Sequence, residues 1–105
     1  MWFVETPVFT REIEKLLSDE EYRLLQLALL FRPEQGSVIP GTGGLRKLRW
    51  KQRGGGKRGG LRVVYYWQKD EMAIYMLLIY RKSQQEDLTS DQIKLLKRLV
   101  REKLA

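Results

Sequence analysis

The sequence predicts an α+β domain: a small, mostly antiparallel sheet with two helices before it and one after, in the order β-α-α-β-β-β-α. Three observations carry that prediction. Apolar residues recur three and four apart from Phe9 to Leu29, fall on alternate positions from Leu45 into the sixties, and return to helical spacing from Ile93 to Leu104. A chain of 105 residues, 43% apolar, is long enough to bury one core, so residues 1–105 read as a single domain.

Trp2 to Glu5 is a short first strand. Thr6-Pro7 then opens a helix, with the threonine as N-cap and the proline at the first helical position, where an N–H has no partner to lose. Phe9, Ile13, Leu16 and Leu17 form its inward stripe. Ser18-Asp19-Glu20-Glu21 is a capping-box pattern for a second helix through Tyr22, Leu25 and Leu29, which should stop before Pro33. The two helices are expected to cover one face of the sheet together. Glu34 to Gly44 reads as a linker.

From Leu45 the period is two. Leu48 and Trp50 point one way, and Lys47, Arg49 and Lys51 the other. Leu61 to Trp67 is a second strand, rich in β-branched and aromatic residues, with Arg62, Val64 and Tyr66 opposite in direction to Val63, Tyr65 and Trp67. Gln68 to Glu71 is a turn. Met72 to Tyr80 is almost wholly apolar, as a central strand covered on both faces would be. Thr89-Ser90-Asp91-Gln92 is a further capping box, and it opens a helix with Ile93, Leu96, Leu99, Val100 and Leu104 inward.

Charge is concentrated in the middle third. The net charge is +7, yet residues 35–69 hold nine basic residues and no acid, while the remainder holds 11 basic and 13 acidic. All nine glycines also fall between Gly36 and Gly60. The stretch LRWKQRGGGKRGGLR, residues 48–62, combines six Lys or Arg with five Gly. A basic block of this kind points to an anionic polymer as partner. Basic residues two apart on a strand stand roughly 7 Å from one another, close to the phosphate spacing of a single nucleic-acid strand. Arg62 joins that row if the register allows. Tyr65, Tyr66 and Tyr80 offer rings on which a base can stack. The glycines of residues 54–60 would let Arg53, Lys57 and Arg58 order against a target. The plainer alternative is a solvated, aggregation-resistant strand face, which would tolerate interspersed acids.

Several chemistries are excluded. The chain has no Cys and no His, so it has no disulfide framework, no thiolate nucleophile and none of the usual zinc sites. GTGGLRK and GGGKRGG both lack the P-loop spacing. The acids nearest the basic surface, Asp70 with Glu71 and Glu86 with Asp87, make no convincing two-metal site. Leu24 to Phe31 is too short for a membrane span, and the first residues lack a basic n-region, so a cytoplasmic protein without membrane contact is expected. If RNA is cut, the open route uses no metal and no cofactor. The 2′-hydroxyl attacks its own phosphate, with crowded Lys and Arg supplying proton transfer and charge stabilisation.

The runs GTGGLRKLRW, GKRGGLRVVYYW and LLIYRKSQQEDLTSDQIKLLKRLV resemble the HigB-type branch of the RelE toxin superfamily, across nearly the whole chain. The resemblance implies a RelE-like microbial RNase fold and the toxin of a type II toxin–antitoxin system. Its activity would be ribosome-dependent cleavage of translated mRNA, which inhibits translation. The implied partners are mRNA in the ribosomal A site, the 70S ribosome and a cognate helix-turn-helix antitoxin of HigA-like type, with operator DNA bound only through the antitoxin complex. The family's basic pair falls at Lys47 and Arg49, an arginine here replacing the second lysine. The family's phosphate-stabilising arginine falls at Arg62, and the basic residue after the last strand at Lys82, or Arg81 one position earlier. Those four places, Lys47, Arg49, Arg62 and Lys82, are the catalytic candidates. Arg46, Lys51, Arg53, Lys57, Arg58, Tyr80 and Arg81 complete the expected RNA- and ribosome-binding surface. Leu88 occupies the place of a tyrosine found in the best-studied RelE branch, and Tyr80 is its candidate substitute. The competing reading is a non-catalytic RNA- or ribosome-binding module that uses the same basic hairpin only to hold.

Overall fold

The computed structural model describes residues 1–51 and 60–104. Its elements are β1 (Trp2–Glu5), α1 (Pro7–Leu16), α2 (Asp19–Phe31), β2 (Ser37–Val38), β3 (Leu45–Trp50), β4 (Leu61–Gln68), β5 (Ala73–Arg81) and α3 (Ser90–Leu99). The last turns of α3 widen into a π-helical segment, Val100–Leu104. The expected order holds, with one addition: the two-residue strand β2 lies inside the stretch read as linker. The sheet runs β1-β5-β4-β3-β2, and it is mixed, because β1 joins β5 in parallel while the other three pairings are antiparallel.

Local chemistry sets the helix starts. The Thr6 hydroxyl accepts from the Phe9 N–H at 3.1 Å and donates to the Leu77 carbonyl at 2.8 Å, so one side chain caps α1 and ties it to β5. Ser18 accepts from the Glu21 N–H at 3.1 Å. Glu21 does not return the bond: its Oε2 is buried without a partner among the described residues, so this box is half made. At α3 both halves are present, between Thr89 and Gln92.

The sheet separates two cores. On one face α1 and α2 bring Phe9, Ile13, Leu17, Leu25 and Leu29 against Leu48, Leu61, Val63, Tyr65, Ile74, Met76 and Ile79. The phenol of Tyr65 donates to the Pro33 carbonyl at 2.7 Å and accepts from the Gly36 N–H at 2.9 Å, which pins the chain leaving α2. On the other face α3 and its π-helical end set Leu96, Val100 and Leu104 over Leu45, Val64 and Leu77. A register shift opposite Val64/Tyr65 lets β5 switch phase: Ile74, Met76 and Ile79 face the helix pair, whereas Leu77, Leu78 and Tyr80 face α3.

Candidate functional site

α3 roofs only part of its face. Past Val64 and Leu78, that face continues as Arg49, Arg62 and Tyr80, which stand directly opposite one another across β3, β4 and β5. With strands about 4.8 Å apart, this cross-strand row is about 10 Å long. Lys47 lies one row back on β3, opposite Val64. The strand alternation that sends Leu48 and Trp50 into the helix-pair core leaves Lys47 and Arg49 here.

Arg62 is the centre of the row. It is only 6% exposed, and its Nη1 reaches the Leu61 carbonyl at 3.3 Å. Arg49 opposite it is exposed. Like charges set directly opposite across a ladder repel. An anion lying between two guanidiniums converts that repulsion into a bidentate clamp. Lys47 Nζ donates to Asp87 Oδ1 at 3.0 Å, and the same oxygen accepts from the Leu88 N–H at 2.8 Å. The lysine, followed by that backbone N–H, holds the Asp87 carboxyl below the usual carboxylate range. Asp87 therefore stays ionised and offsets the charge of the lysine.

Tyr80 is different from what the sequence suggests. Its residue is 8% exposed, and its hydroxyl is buried without a hydrogen-bond partner among the described residues, so the ring is no open platform for a base. Burial pushes its phenol up, the Asp87 charge adds to this, and Arg62 partly offsets it. The group is a neutral donor facing a cationic site. Tyr65 belongs to the opposite core, and Tyr66 packs beneath α3.

The remaining expected site residues scatter. Arg46 is turned away, with its Nη1 donating to the Glu34 and Gly36 carbonyls at 2.9 and 2.8 Å. Lys51 lies beyond the end of β3 and borders a groove with Leu24, Leu27 and Phe31 on the helix-pair side, so it does not extend the Lys47–Arg49 line. Arg81 also sits on that side, in a cleft with Val8, Glu12 and Leu16. Lys82 is exposed one residue later, and its N–H donates to the Gly60 carbonyl at 3.2 Å, beside the stem of the β3–β4 hairpin. Of the two alternatives after β5, Arg81 lines the cleft on the helix-pair side, and Lys82 is joined through its backbone to the hairpin stem. Arg53, Lys57 and Arg58 lie outside the described residues. Asp87 is a contributor that sequence reasoning had set aside as half of an unconvincing metal pair. Nothing in its spacing announces it, because its partner Lys47 is 40 residues away.

Comparison with known proteins agrees with the fold. Three solved structures share the fold, all from E. coli. One is the intact RelBE toxin–antitoxin complex, at TM-score 0.58 and 18% identity, covering 76% of this chain and 94% of that one. A second is a free-state RelE toxin with two arginines changed to alanine, at TM-score 0.62 and 16% identity, covering 90% and 96%. The third is the isolated RelE toxin, at TM-score 0.57 and 18% identity, covering 93% and 97%. At such identities these likenesses establish the fold. The family model for the RelE toxin of the RelE/RelB toxin–antitoxin system matches residues 6–105, and the chain belongs to that family.

Proposed function

We propose that this chain is a toxin that cuts translated mRNA on the ribosome. The observation that carries the reading is the open end of the sheet, where Arg49 and Arg62 face each other with Lys47 one row behind. The scissile phosphate lies across this row. Its neighbouring 2′-oxygen attacks phosphorus, the P–O5′ bond breaks, and the products are a 2′,3′-cyclic phosphate and a free 5′-hydroxyl. Arg49 and Arg62 hold the phosphorane charge; Lys47 and Lys82, the two lysines of the set, move protons to and from the reacting oxygens. Catalysis here is mainly positioning plus electrostatics. The ribosomal A site supplies the ordered mRNA, and a cytoplasmic setting follows from that substrate. The motif runs GTGGLRKLRW and LLIYRKSQQEDLT support the HigB-type branch, with a HigA-like helix-turn-helix antitoxin as partner.

Inducing the chain in bacteria and mapping mRNA ends across the transcriptome tests this reading. Cuts should be confined to translated frames, and Arg62→Ala should lower their frequency at least 10²-fold, roughly the effect of removing one preorganised charge stabiliser. An undiminished toxin with that substitution would refute the role of Arg62.

A second reading has its own support. The second place of the basic pair is Arg49, which clamps better than it transfers protons, and Leu88 stands where a related branch has a tyrosine. A module that only holds RNA would protect it from nucleases while producing no new 3′ ends.

A further inference from the structure

The basic row is not the only cationic surface. Lys94, Lys97, Arg98 and Arg101 recur at three- and four-residue intervals, so they form one stripe along α3 and into its π-helical end. All four are exposed, and among the described residues they alone line a shallow depression. Among the described residues, Lys94, Lys97 and Arg98 have no carboxylate within ion-pair distance, and Arg101 reaches only its neighbour Glu102, at 3.9 Å. Favourable contact with the helix C-terminus accounts for cations in the last turn. It does not account for Lys94, and like charges at this spacing weaken a helix.

The stripe borders the β2–β3 loop. Gly41, Thr42 and Gly43 line a second depression with Lys97, Val100 and Arg101. Thr42 is buried and holds the loop by donating to the Ile39 carbonyl and accepting from the Leu45 N–H. Gly43, at φ +78°, has Val100 Cγ1 only 3.5 Å from where its Cβ would stand, so a near-bare backbone lies against the stripe. From Gly43 the chain runs directly into β3, and Lys47 follows four residues on, about 13 Å away.

We propose that this stripe and loop form a second RNA-binding surface, one that grips the phosphate backbone of double-stranded RNA while the sheet end holds the single strand to be cut. The inference rests on the RNA reading of the sheet end. Among the described residues no aromatic ring lines either depression, so bases have nothing to stack on there, and only backbone charge and shape are recognised. The stripe spans about 10 Å along the helix, enough to reach about two successive phosphates of one strand.

The test compares the full chain with a variant carrying Lys94→Gln, Lys97→Gln, Arg98→Gln and Arg101→Gln, on an RNA hairpin duplex and on an unstructured single strand, over a salt series. Duplex affinity should fall at least tenfold, and the slope of log affinity against log salt should flatten by roughly 0.9 for each phosphate no longer neutralised, taking the B-form value as a guide. Single-strand affinity and thermal unfolding should stay unchanged. Unchanged duplex binding would overturn the proposal and leave the cleavage site standing. Binding to neither RNA by the unsubstituted chain would instead overturn the RNA reading itself. If the substitutions abolish binding to phosphatidylserine vesicles but leave duplex affinity intact, the stripe is a lipid surface and the proposal fails.

Discussion

The two faces of the central sheet carry different work, and β3 shows the difference most plainly. Toward α1 and α2 it presents Leu48 and Trp50 to a continuous core; toward α3 it presents Leu45, which is covered, then Lys47, which is half-buried, and Arg49, which is exposed. The helix-pair face is closed along its length. The α3 face is closed for part of its length and then continues as a cationic shelf on which Arg49 is exposed while Arg62 and Tyr80 are nearly buried. Six residues of one strand thus encode both a buried layer and a cationic edge, because side-chain direction alternates at every step.

The largest effect should come from opening the closed face. Phe9 is fully buried and packs its ring 5.9 Å from that of Tyr22. Phe9→Ala should destabilise the domain by about 3–5 kcal/mol, read as a lower denaturant midpoint, since a ring-sized void is left between α1 and the sheet. A loss below about 1 kcal/mol would mean that this face is less tightly packed than the other. Next comes the stem of the hairpin that carries the shelf. Gly60 adopts φ +60°, and a Cβ there would stand 2.7 Å from the Trp50 carbonyl oxygen. Gly60→Ala should cost about 1–2 kcal/mol for the left-handed backbone alone, and also disturb the Arg49–Arg62 pairing, so cleavage should fall alongside stability.

The open face should respond in the opposite direction. Tyr80→Phe removes a buried hydroxyl that has no partner, so the variant should be as stable as the parent or more stable by about 1 kcal/mol, seen as a raised melting temperature. If cleavage drops in the same variant, the phenol donates to RNA and its isolation in the free protein serves that contact. The smallest effect concerns Asp87. Its folded-state carboxyl titrates below its unfolded value, so it contributes stability above the unfolded carboxyl range near pH 4, and that contribution disappears as the pH falls through the lower folded value. The pair is well exposed, so the contribution should be well under 1 kcal/mol. Asp87→Asn should flatten that small acid-side slope in urea midpoints measured between pH 5 and 3.

Much of this was legible beforehand, for stated reasons. The caps at Thr6, Ser18 and Thr89 are local, and a local rule finds them. The alternation in β3 put Lys47 and Arg49 on one face, and the same alternation placed Arg46 with Leu48, a signal against counting it in the RNA surface. β2 escaped because two residues have no period. The phase switch in β5 escaped because an unbroken apolar run does not say which face each residue takes. The Lys47–Asp87 pair and the burial of Tyr80 depend on register and on the path of the chain after β5, which no window of sequence contains.

The parallel seam between β1 and β5 has a consequence for how the molecule comes into being. Thr6 binds the Leu77 carbonyl 71 residues away, and Trp2 pairs with Ala73. A chain made from its first residue onward must therefore hold β1 in waiting until most of its length has been synthesised. Such distant pairings slow folding, because the intervening loop must close before they reward it. The helix pair can form early, but its floor arrives late, and Lys82, Asp87 and α3 later still. The cationic shelf, with Lys82 and the Lys47–Asp87 pair, is thus complete only when most of the chain has been made.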